Sequence, residues 1–392
     1  MKYFSILLML LLALPIYSQQ NSNMEKIQNI INQVEQKYAP DKRTAVFNVT
    51  FKTEENKNLL TGETNIKEAK TDLIALLDKE GVKVEDEIQM LPEGQMGNEL
   101  YGVIDISVAT LRTKPKQAAE LATQALLGCT IKLLKKAKGW YLVQTPDKYI
   151  AWLESGSFEP MNEAQLKELN SSKRIIFTKE NGFSYSEKNS DAVPVSDLVA
   201  CDILKELGRD GDFVKVEYPD KRTGYVETKD CEDFNIWINS RNLTADNIIN
   251  TAKRFMGTPY LWGGTSTKAM DCSGFTRTVF FLNGVYLPRD ASQQVHVGIP
   301  VETKDGFGNL KPGDLLFFGK KATANSKEKI THVGIYIGND EFIHEAGQVH
   351  ISSFDKSKKN FNKYRLNQFV RAKRVITSVG ENGVLPLKDV NY

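Results

Sequence analysis

The feature that most narrows the fold of this chain is a short aromatic pattern that occurs twice. Gly139-Trp140-Tyr141-Leu142-Val143 leads into Pro146-Asp147-Lys148, and Gly211-Asp212-Phe213-Val214-Lys215-Val216 leads into Pro219-Asp220-Lys221. Each is followed by a further aromatic run, Tyr149-Ile150-Ala151-Trp152-Leu153 in one copy and Gly224-Tyr225-Val226-Glu227 in the other. Aromatic and β-branched residues in short runs, punctuated by Gly and Pro-Asp, read as strands joined by tight turns. The pattern holds from Tyr101 to about Met161 and from Arg174 to about Ser240. The chain therefore carries two duplicated small β domains, placed at residues 99–162 and 172–241. Cys129 precedes Gly139 by ten residues, as Cys201 precedes Gly211. Matching places predict matching jobs, and both are read as small buried hydrophobes at a strand start. A Cys201–Cys231 bridge in an oxidising compartment stays open at this level.

On either side the periodicity changes. Ile27, Ile30, Ile31, Val34 and Tyr38 recur at helical spacing, whereas Ala45, Phe47, Val49 and Phe51 alternate as a half-buried strand. Gly62 is read as separating that strand from a second helix marked by Ile66, Ala69, Leu73, Ile74 and Leu77. Gly81 ends this helix, and Val82, Val84 and Ile88 form another strand. Residues 19–98 thus read as a small α+β unit, without His or Cys and without legible chemistry. Ahead of it, Lys2, the apolar run from Phe4 to Ala13, Pro15 and small Ser18 predict a signal peptide over residues 1–18. The run is shorter than the roughly 20 residues a bilayer span needs. The expectation is export to the periplasm or the external medium, with no membrane span after signal removal.

Residues 242–378 change character again. A helix over Ala245 to Phe255 breaks at Gly257-Thr258-Pro259, and a second helix is predicted from Asp271 to Asn283. Strands follow at Asp314–Phe318, His332–Ile337, Glu341–His344 and Phe369–Val375, an order that implies an α+β domain. Overall composition sets outer limits. A length of 392 residues accommodates two to four domains, and 41% hydrophobic with 26% charged residues excludes disorder. Lys+Arg 51 against Asp+Glu 49, without a long basic run, excludes a nucleic-acid partner held by phosphate neutralisation. Four Cys in so long a chain exclude a disulfide-stapled scaffold. Oligomeric state is not legible.

All four His (His296, His332, His344 and His350) lie in this last region, together with Cys272. Asp271 or Ser273 is suited to cap the second helix, which puts Cys272 in its first turn. There the positive helix end favours thiolate and lowers the pKa from ~8.5 toward ~3.5–7.5. His332 opens one strand and His344 follows twelve residues later, beyond a Gly338-Asn339-Asp340 turn. Antiparallel pairing would bring both imidazoles to one end, giving a nucleophile, a base and its orienter. Two other readings of the same residues are a buried inert Cys and a zinc site. Zinc sites usually carry a close pair such as C-x-x-C, and none occurs here. His296 and His350 are read as structural or surface residues.

At these residues the sequence resembles the NlpC-type family of bacterial cell-wall cysteine peptidases. The resemblance runs through Gly257-Thr258-Pro259-Tyr260-Leu261-Trp262-Gly263-Gly264, Asp271-Cys272-Ser273-Gly274-Phe275 and Leu287-Pro288-Arg289 with Gln293. It continues over Leu310-Lys311-Pro312-Gly313-Asp314-Leu315-Leu316-Phe317-Phe318, His332-Val333-Gly334-Ile335-Tyr336-Ile337-Gly338 and His344. It implies a multi-domain chain with a papain-like α+β catalytic domain, in which Cys272 is the nucleophile, His332 the base and His344 its orienter. Tyr260 would help form the oxyanion site. The β domains resemble bacterial SH3-like barrels, and the whole chain resembles the dipeptidyl-peptidase VI subgroup. That subgroup cleaves the γ-D-Glu–diamino acid bond, to L-Lys or diaminopimelate, in peptidoglycan stem peptides with a free N-terminal L-Ala. Under this resemblance Asp271, Ser273 and Trp262 contact substrate, and Glu120 and Tyr149 of the first SH3-like domain hold its amine. Peptidoglycan-derived peptides are the implied partners, and neither metal nor organic cofactor is implied. The alternatives are an endopeptidase acting on intact peptidoglycan and a non-catalytic wall-binding protein.

Overall fold

A computed structural model describes residues 24–392 except Asn56 and Asn391, so the predicted signal peptide lies outside the described residues. The chain divides into two compact units, one ending at Gly97 and one spanning Asn98–Tyr392. Among the described residues no helix is long and apolar enough to cross a membrane.

In the first unit, helix α1 (residues 24–38) is followed by strands β1 (Phe47–Glu54) and β2 (Lys57–Thr64). Helix α2 (Lys67–Lys79) then leads to β3 (Glu85–Met90). The sheet order is β1-β2-β3, antiparallel then parallel, with α2 as the crossover that parallel pairing requires. Ile27, Ile31 and Val34 of α1 and Ala69, Leu73 and Leu77 of α2 bury against Phe47, Val49, Leu60 and Ile88. The sequence reading missed β2. Gly62 does not separate strand from helix but lies inside β2, opposite Val49. Its φ of +118° and the 1.9 Å that would part a Cβ from Asn48 O leave room for glycine alone. Because Leu59 and Leu60 are buried side by side, β2 shows no period of two.

The second unit opens with two seven-stranded antiparallel sheets. The first holds β4 (Tyr101–Ile104), β5 (Val108–Arg112), β6 (Leu121–Leu126), β7 (Thr130–Ala137), β8 (Trp140–Gln144), β9 (Ile150–Glu154) and β10 (Phe158–Met161). Helix α3 (Glu163–Ser171), started by an Asn162–Gln165 capping box, leads to the second. That sheet holds β11 (Arg174–Phe177), β12 (Asn181–Tyr185), β13 (Pro194–Val199), β14 (Ile203–Asp210), β15 (Phe213–Glu217), β16 (Thr223–Glu227) and β17 (Cys231–Asp233). The orders β10-β4-β7-β8-β9-β5-β6 and, read backwards, β17-β11-β14-β15-β16-β12-β13 are the same strand for strand. Tyr101 and Arg174, Thr130 and Ile203, and Phe158 and Cys231 begin corresponding strands, an offset of 73 residues each time. The bulges at Leu133/Lys135 and Glu206/Gly208 correspond as well.

This offset corrects the reading of the cysteines. Cys129 corresponds to Asp202, and Cys201 corresponds to Gly128, sharing its left-handed backbone (φ 81° and 82°). The alignment by Gly139 and Gly211 was one residue out. Both cysteines are buried, as expected, but they do different jobs. Asp202 accepts the N–H of Val199 in its own sheet (2.8 Å) and that of Leu127 in the other (3.2 Å), joining the two copies. All four cysteines are free, so the Cys201–Cys231 bridge is not formed. Cys231 opens β17 with its sulfur near Glu227 O (3.7 Å).

After α4 (Phe234–Asn239) and α5 (Ala245–Arg254), two-residue strands β18 (Thr265–Ser266) and β19 (Ala269–Met270) precede helix α6 (Cys272–Phe281). Strand β20 (Val285–Tyr286), helix α7 (Ala291–Gln294) and strand β21 (Ile299–Val301) follow. The main strands are β22 (Leu315–Lys320), β23 (Lys329–Gly338), β24 (Glu341–Ala346) and β25 (Gln348–Ser353); helix α8 (Lys363–Gln368) then leads into β26 (Phe369–Arg374). They form an antiparallel sheet ordered β21-β26-β22-β23-β24-β25, against which α6 packs through β23 and β24. A second cluster, Phe318, Phe342, Phe354 and Phe369 with Leu366 of α8, completes the core.

Candidate active site

The site forms where α6 begins. Asp271 is its N-cap, accepting the Gly274 N–H at 2.8 Å, so Cys272 is the first residue of the helix. The expected low thiol pKa is not found there. Burial pushes the Cys272 thiol up to about 12, and the Asp271 carboxylate adds to this; N–H groups of Val333 and Ser273 and the charge of Arg289 oppose it. Desolvation outweighs the helix end because the sulfur is enclosed. The resting site therefore holds a thiol, and its proton must leave with a base during attack.

That base is positioned by the β23–β24 hairpin. Gly338 pairs with Glu341 around a two-residue loop, Asn339-Asp340, with φ values of 52° and 58°, the left-handed pair that suits strand twist. His344 pairs with Gly334, where a Cβ would come within 3.0 Å of that of His344. His332, two residues away on β23, faces the same side. Its Nε2 lies 2.8 Å from His344 Nδ1, and His344 Nε2 lies 3.0 Å from Ser352 Oγ on β25. Asn362 Nδ2–H donates to that Ser352 oxygen at 3.2 Å. With His332 Nδ1 as the base the proton order follows: His332 Nε2–H donates to His344 Nδ1, and His344 Nε2–H donates to Ser352. Burial holds both imidazoles well below their ordinary pKa, with Arg365 and His350 adding to the effect, so they are neutral. Three of the four ring nitrogens are thus engaged with each other and with Ser352, and the fourth, His332 Nδ1, is the one left for the thiol proton. Val333, directly after His332, is the residue whose N–H reaches the Cys272 sulfur, which places the base beside the nucleophile.

Other predicted residues are distributed unevenly. Asp271 is buried and taken up by Arg289 (Nη2 to Oδ2, 2.6 Å), by Gly263 N–H and by Gly274 N–H. Ser273 Oγ donates to Asp271 and accepts from Arg289 Nη1 at 3.0 Å. Both side chains therefore build the start of the helix that carries Cys272. Tyr260 is partly exposed; burial first, and the acidic neighbours Cys272, Asp271 and Glu345, keep its hydroxyl protonated, an O–H donor next to the nucleophile. Trp262 is 62% exposed and donates from Nε1 to Glu120 Oε1 at 2.8 Å. Tyr149 O–H donates to Asp290 Oδ2 at 3.3 Å. The first β domain thereby forms one wall of the cleft. A Cβ on Gly263 would lie 2.5 Å from Leu121 O, so the two parts meet backbone to backbone. His296 is exposed, while His350, read as structural or surface, has its ring centroid 4.4 Å from that of His344.

Sequence reasoning missed several residues. Arg289 appeared only as part of a motif, yet its Nε also donates to Thr123 Oγ1 of the first β domain at 2.9 Å. Ser352 lies in a strand, and Asn362 caps a helix, that were not predicted. Glu345 is fully buried, and burial pushes its carboxyl up to about 7 against the opposing effect of the Ala346 N–H.

An antiparallel sheet carrying a His pair, against a helix that starts with Cys, is the layout of a papain-like α+β peptidase domain. Residues 257–371 match the NlpC/P60 family, and residues 111–158 match the bacterial dipeptidyl-peptidase Sh3 domain. A γ-D-glutamyl-L-lysine dipeptidyl-peptidase of Bacillus cereus is 31% identical over 236 residues, covering 58% of this chain and 68% of that protein. The dipeptidyl-peptidase 6 of Lysinibacillus sphaericus is 22% identical, covering 66% of this chain and 93% of that one. In fold, the chain is similar to the crystal structure of an NlpC/P60 family protein from Bacillus cereus, with TM-score 0.60 and 24% identity over 70% of this chain and 99% of that one. The chain belongs to the NlpC/P60 family of cell-wall peptidases.

Proposed function

We propose that this protein is an exported cysteine endopeptidase that cleaves the γ-D-Glu–diamino acid bond of peptidoglycan stem peptides bearing a free N-terminal L-Ala. The observation that carries the reading is the Glu120–Trp262 hydrogen bond. It holds an exposed carboxylate of the first β domain against the loop that contains Tyr260. An ammonium group entering there meets Glu120 and, beyond it, Tyr149 and Asp290. A blocked amine forfeits the charge-assisted hydrogen bonds that a free ammonium makes to those carboxylates. The names of the relatives from Bacillus cereus and Lysinibacillus sphaericus support the same chemistry.

In this reading Cys272 Sγ attacks the γ-carbonyl of D-Glu as His332 Nδ1 takes its proton. Tyr260 O–H and backbone N–H groups at the start of α6 receive the developing oxyanion. The C–N bond then breaks, His332 returns the proton to the leaving amine, and water hydrolyses the thioester. His344 keeps the tautomer of His332 throughout. The test compares L-Ala-γ-D-Glu-diaminopimelate with its N-acylated form, with Cys272→Ala as control. Cleavage of the free peptide alone supports the reading. Equal cleavage removes Glu120 and Tyr149 from recognition and favours an enzyme of the intact wall, whereas no cleavage of either favours a wall-binding protein.

A further inference from the structure

The charge of Arg365 acts on both imidazoles, and nothing in the mechanism above uses it. It lies on α8, half-buried, with its guanidinium carbon 5.8 Å from the Phe318 ring centroid and 5.3 Å from that of Tyr364. Phe318 in turn stands 5.6 Å from the His332 ring. The hydrogen bond the side chain makes is a long one, Nη1 to Gln368 Oε1 at 3.3 Å. The groups that act on its charge are Tyr364, Cys272 and Tyr260, and no carboxylate is among them. Elsewhere in this domain the buried or half-buried arginines are matched: Arg289 by Asp271, Arg374 by Asp314 and Arg277 by Asp147.

An unmatched guanidinium beside the base is unfavourable in the empty site. It disfavours the imidazolium that His332 must become, and its charge is one of the reasons the His332 pKa lies low. An anion bound at the guanidinium offsets this repulsion at the moment the proton arrives. The side of the cleft identifies the anion. Glu120, Tyr149 and Asp290 hold the end of the substrate before the scissile bond. His332 must protonate the amine after it, so the leaving residue lies on the side of His332 and Arg365. When that residue is the last of the peptide, its α-carboxylate is two bonds from the nitrogen that receives the proton.

Resting on the function proposed above, we propose that Arg365 receives the free α-carboxylate of the diamino acid on the leaving side of the bond. The enzyme is then selective for stem peptides that end at that residue. A planar guanidinium fork matches a carboxylate in two hydrogen bonds and matches a carboxamide poorly.

Three peptides test this: L-Ala-γ-D-Glu-L-Lys, the same peptide with its Lys carboxylate as a carboxamide, and the same peptide amidated instead at the D-Glu α-carboxylate. kcat/KM is measured for each with the wild-type protein, Arg365→Gln and Arg365→Lys. Because the ratio of free acid to Lys-amide is taken within each variant, any general loss of folding or of catalytic geometry cancels. The expected ratio is about tenfold or more in the wild type, near one in Arg365→Gln and intermediate in Arg365→Lys. A wild-type ratio near one overturns the assignment, as does an unchanged ratio in Arg365→Gln. If Arg365→Gln instead erases a preference for the D-Glu carboxylate, Arg365 reads the residue before the bond and the assignment also fails. Cleavage of none of the three by the wild type overturns the proposed function itself.

Discussion

Asn362 serves two elements at once: its Oδ1 accepts the N–H of Arg365 at 3.0 Å, capping α8, while its Nδ2–H donates to Ser352 Oγ at 3.2 Å. The helix that carries Arg365 is thereby tied to the hydroxyl on which the histidine proton order depends. Replacing Ser352 by Ala leaves the buried His344 Nε2–H without an acceptor and frees His344 to adopt its other tautomer. The expected result is a fall in kcat of about tenfold or more with KM nearly unchanged, and recovery in Ser352→Thr. Steady-state kinetics on the three proteins checks it.

The pH profile follows from two buried groups. Burial lowers the His332 pKa, so the base stays neutral well below pH 6.5, the ordinary imidazole value. Burial raises the Cys272 thiol to about 12, so it stays protonated above the ordinary ~8.5. The expected kcat/KM profile is flat from about pH 6 to pH 8, its acid limb falling below the free imidazole value. Labelling of Cys272 by iodoacetamide should show no thiolate plateau in mild acid and should slow in His332→Ala. A rapid, pH-independent reaction at pH 5 would contradict the protonated resting thiol.

Arg289 and Asp271 are both buried, and Arg289 also reaches Thr123 in the first β domain. Arg289→Met leaves the Asp271 charge enclosed without its partner, which typically costs about 3–5 kcal/mol. Urea unfolding of Arg289→Met and of Arg289→Met with Asp271→Asn measures this. The second substitution is expected to restore part of the loss.

Glu345 makes stability depend on pH. Its pKa rises from 4.5 to about 7 on folding, so below pH 4.5 it is protonated in both states and contributes no pH dependence. Between those values the folded protein holds a proton that the unfolded chain has released. Stability therefore falls as pH rises from 4.5 to 7 and levels off above. Glu345→Gln removes this dependence, and its stability relative to the wild type should grow by about 1–3 kcal/mol between pH 4 and pH 8. Parallel denaturation curves at the two pH values decide it.

Much of the layout was legible because it is local. The helix holding Cys272, the turn at Asn339-Asp340 and the duplicated strands announce themselves within a dozen residues, through capping, turn chemistry and alternation. What was not legible depends on partners distant in the chain. Arg289 looks like one motif residue until Thr123 and Asp271 meet it. Ser352 is an ordinary serine until β25 pairs with β24. The thiol pKa was misjudged because the helix end can be read from sequence, whereas enclosure by the sheet cannot. The pairing of Cys129 with Cys201 failed by one residue, since the glycines used to align the copies sit in turns whose position shifts while the strands keep their register.

The Arg289–Thr123 hydrogen bond joins residues 166 positions apart. A chain made from its N-terminus at roughly 5–20 residues per second therefore presents Thr123 about 10–30 s before Arg289 exists. For the exported protein proposed above, emergence across the membrane follows the same N-to-C order, so the first β domain is available to fold before the catalytic part assembles against it. The order of synthesis thus gives the wall of the cleft a head start over the nucleophile it shelters.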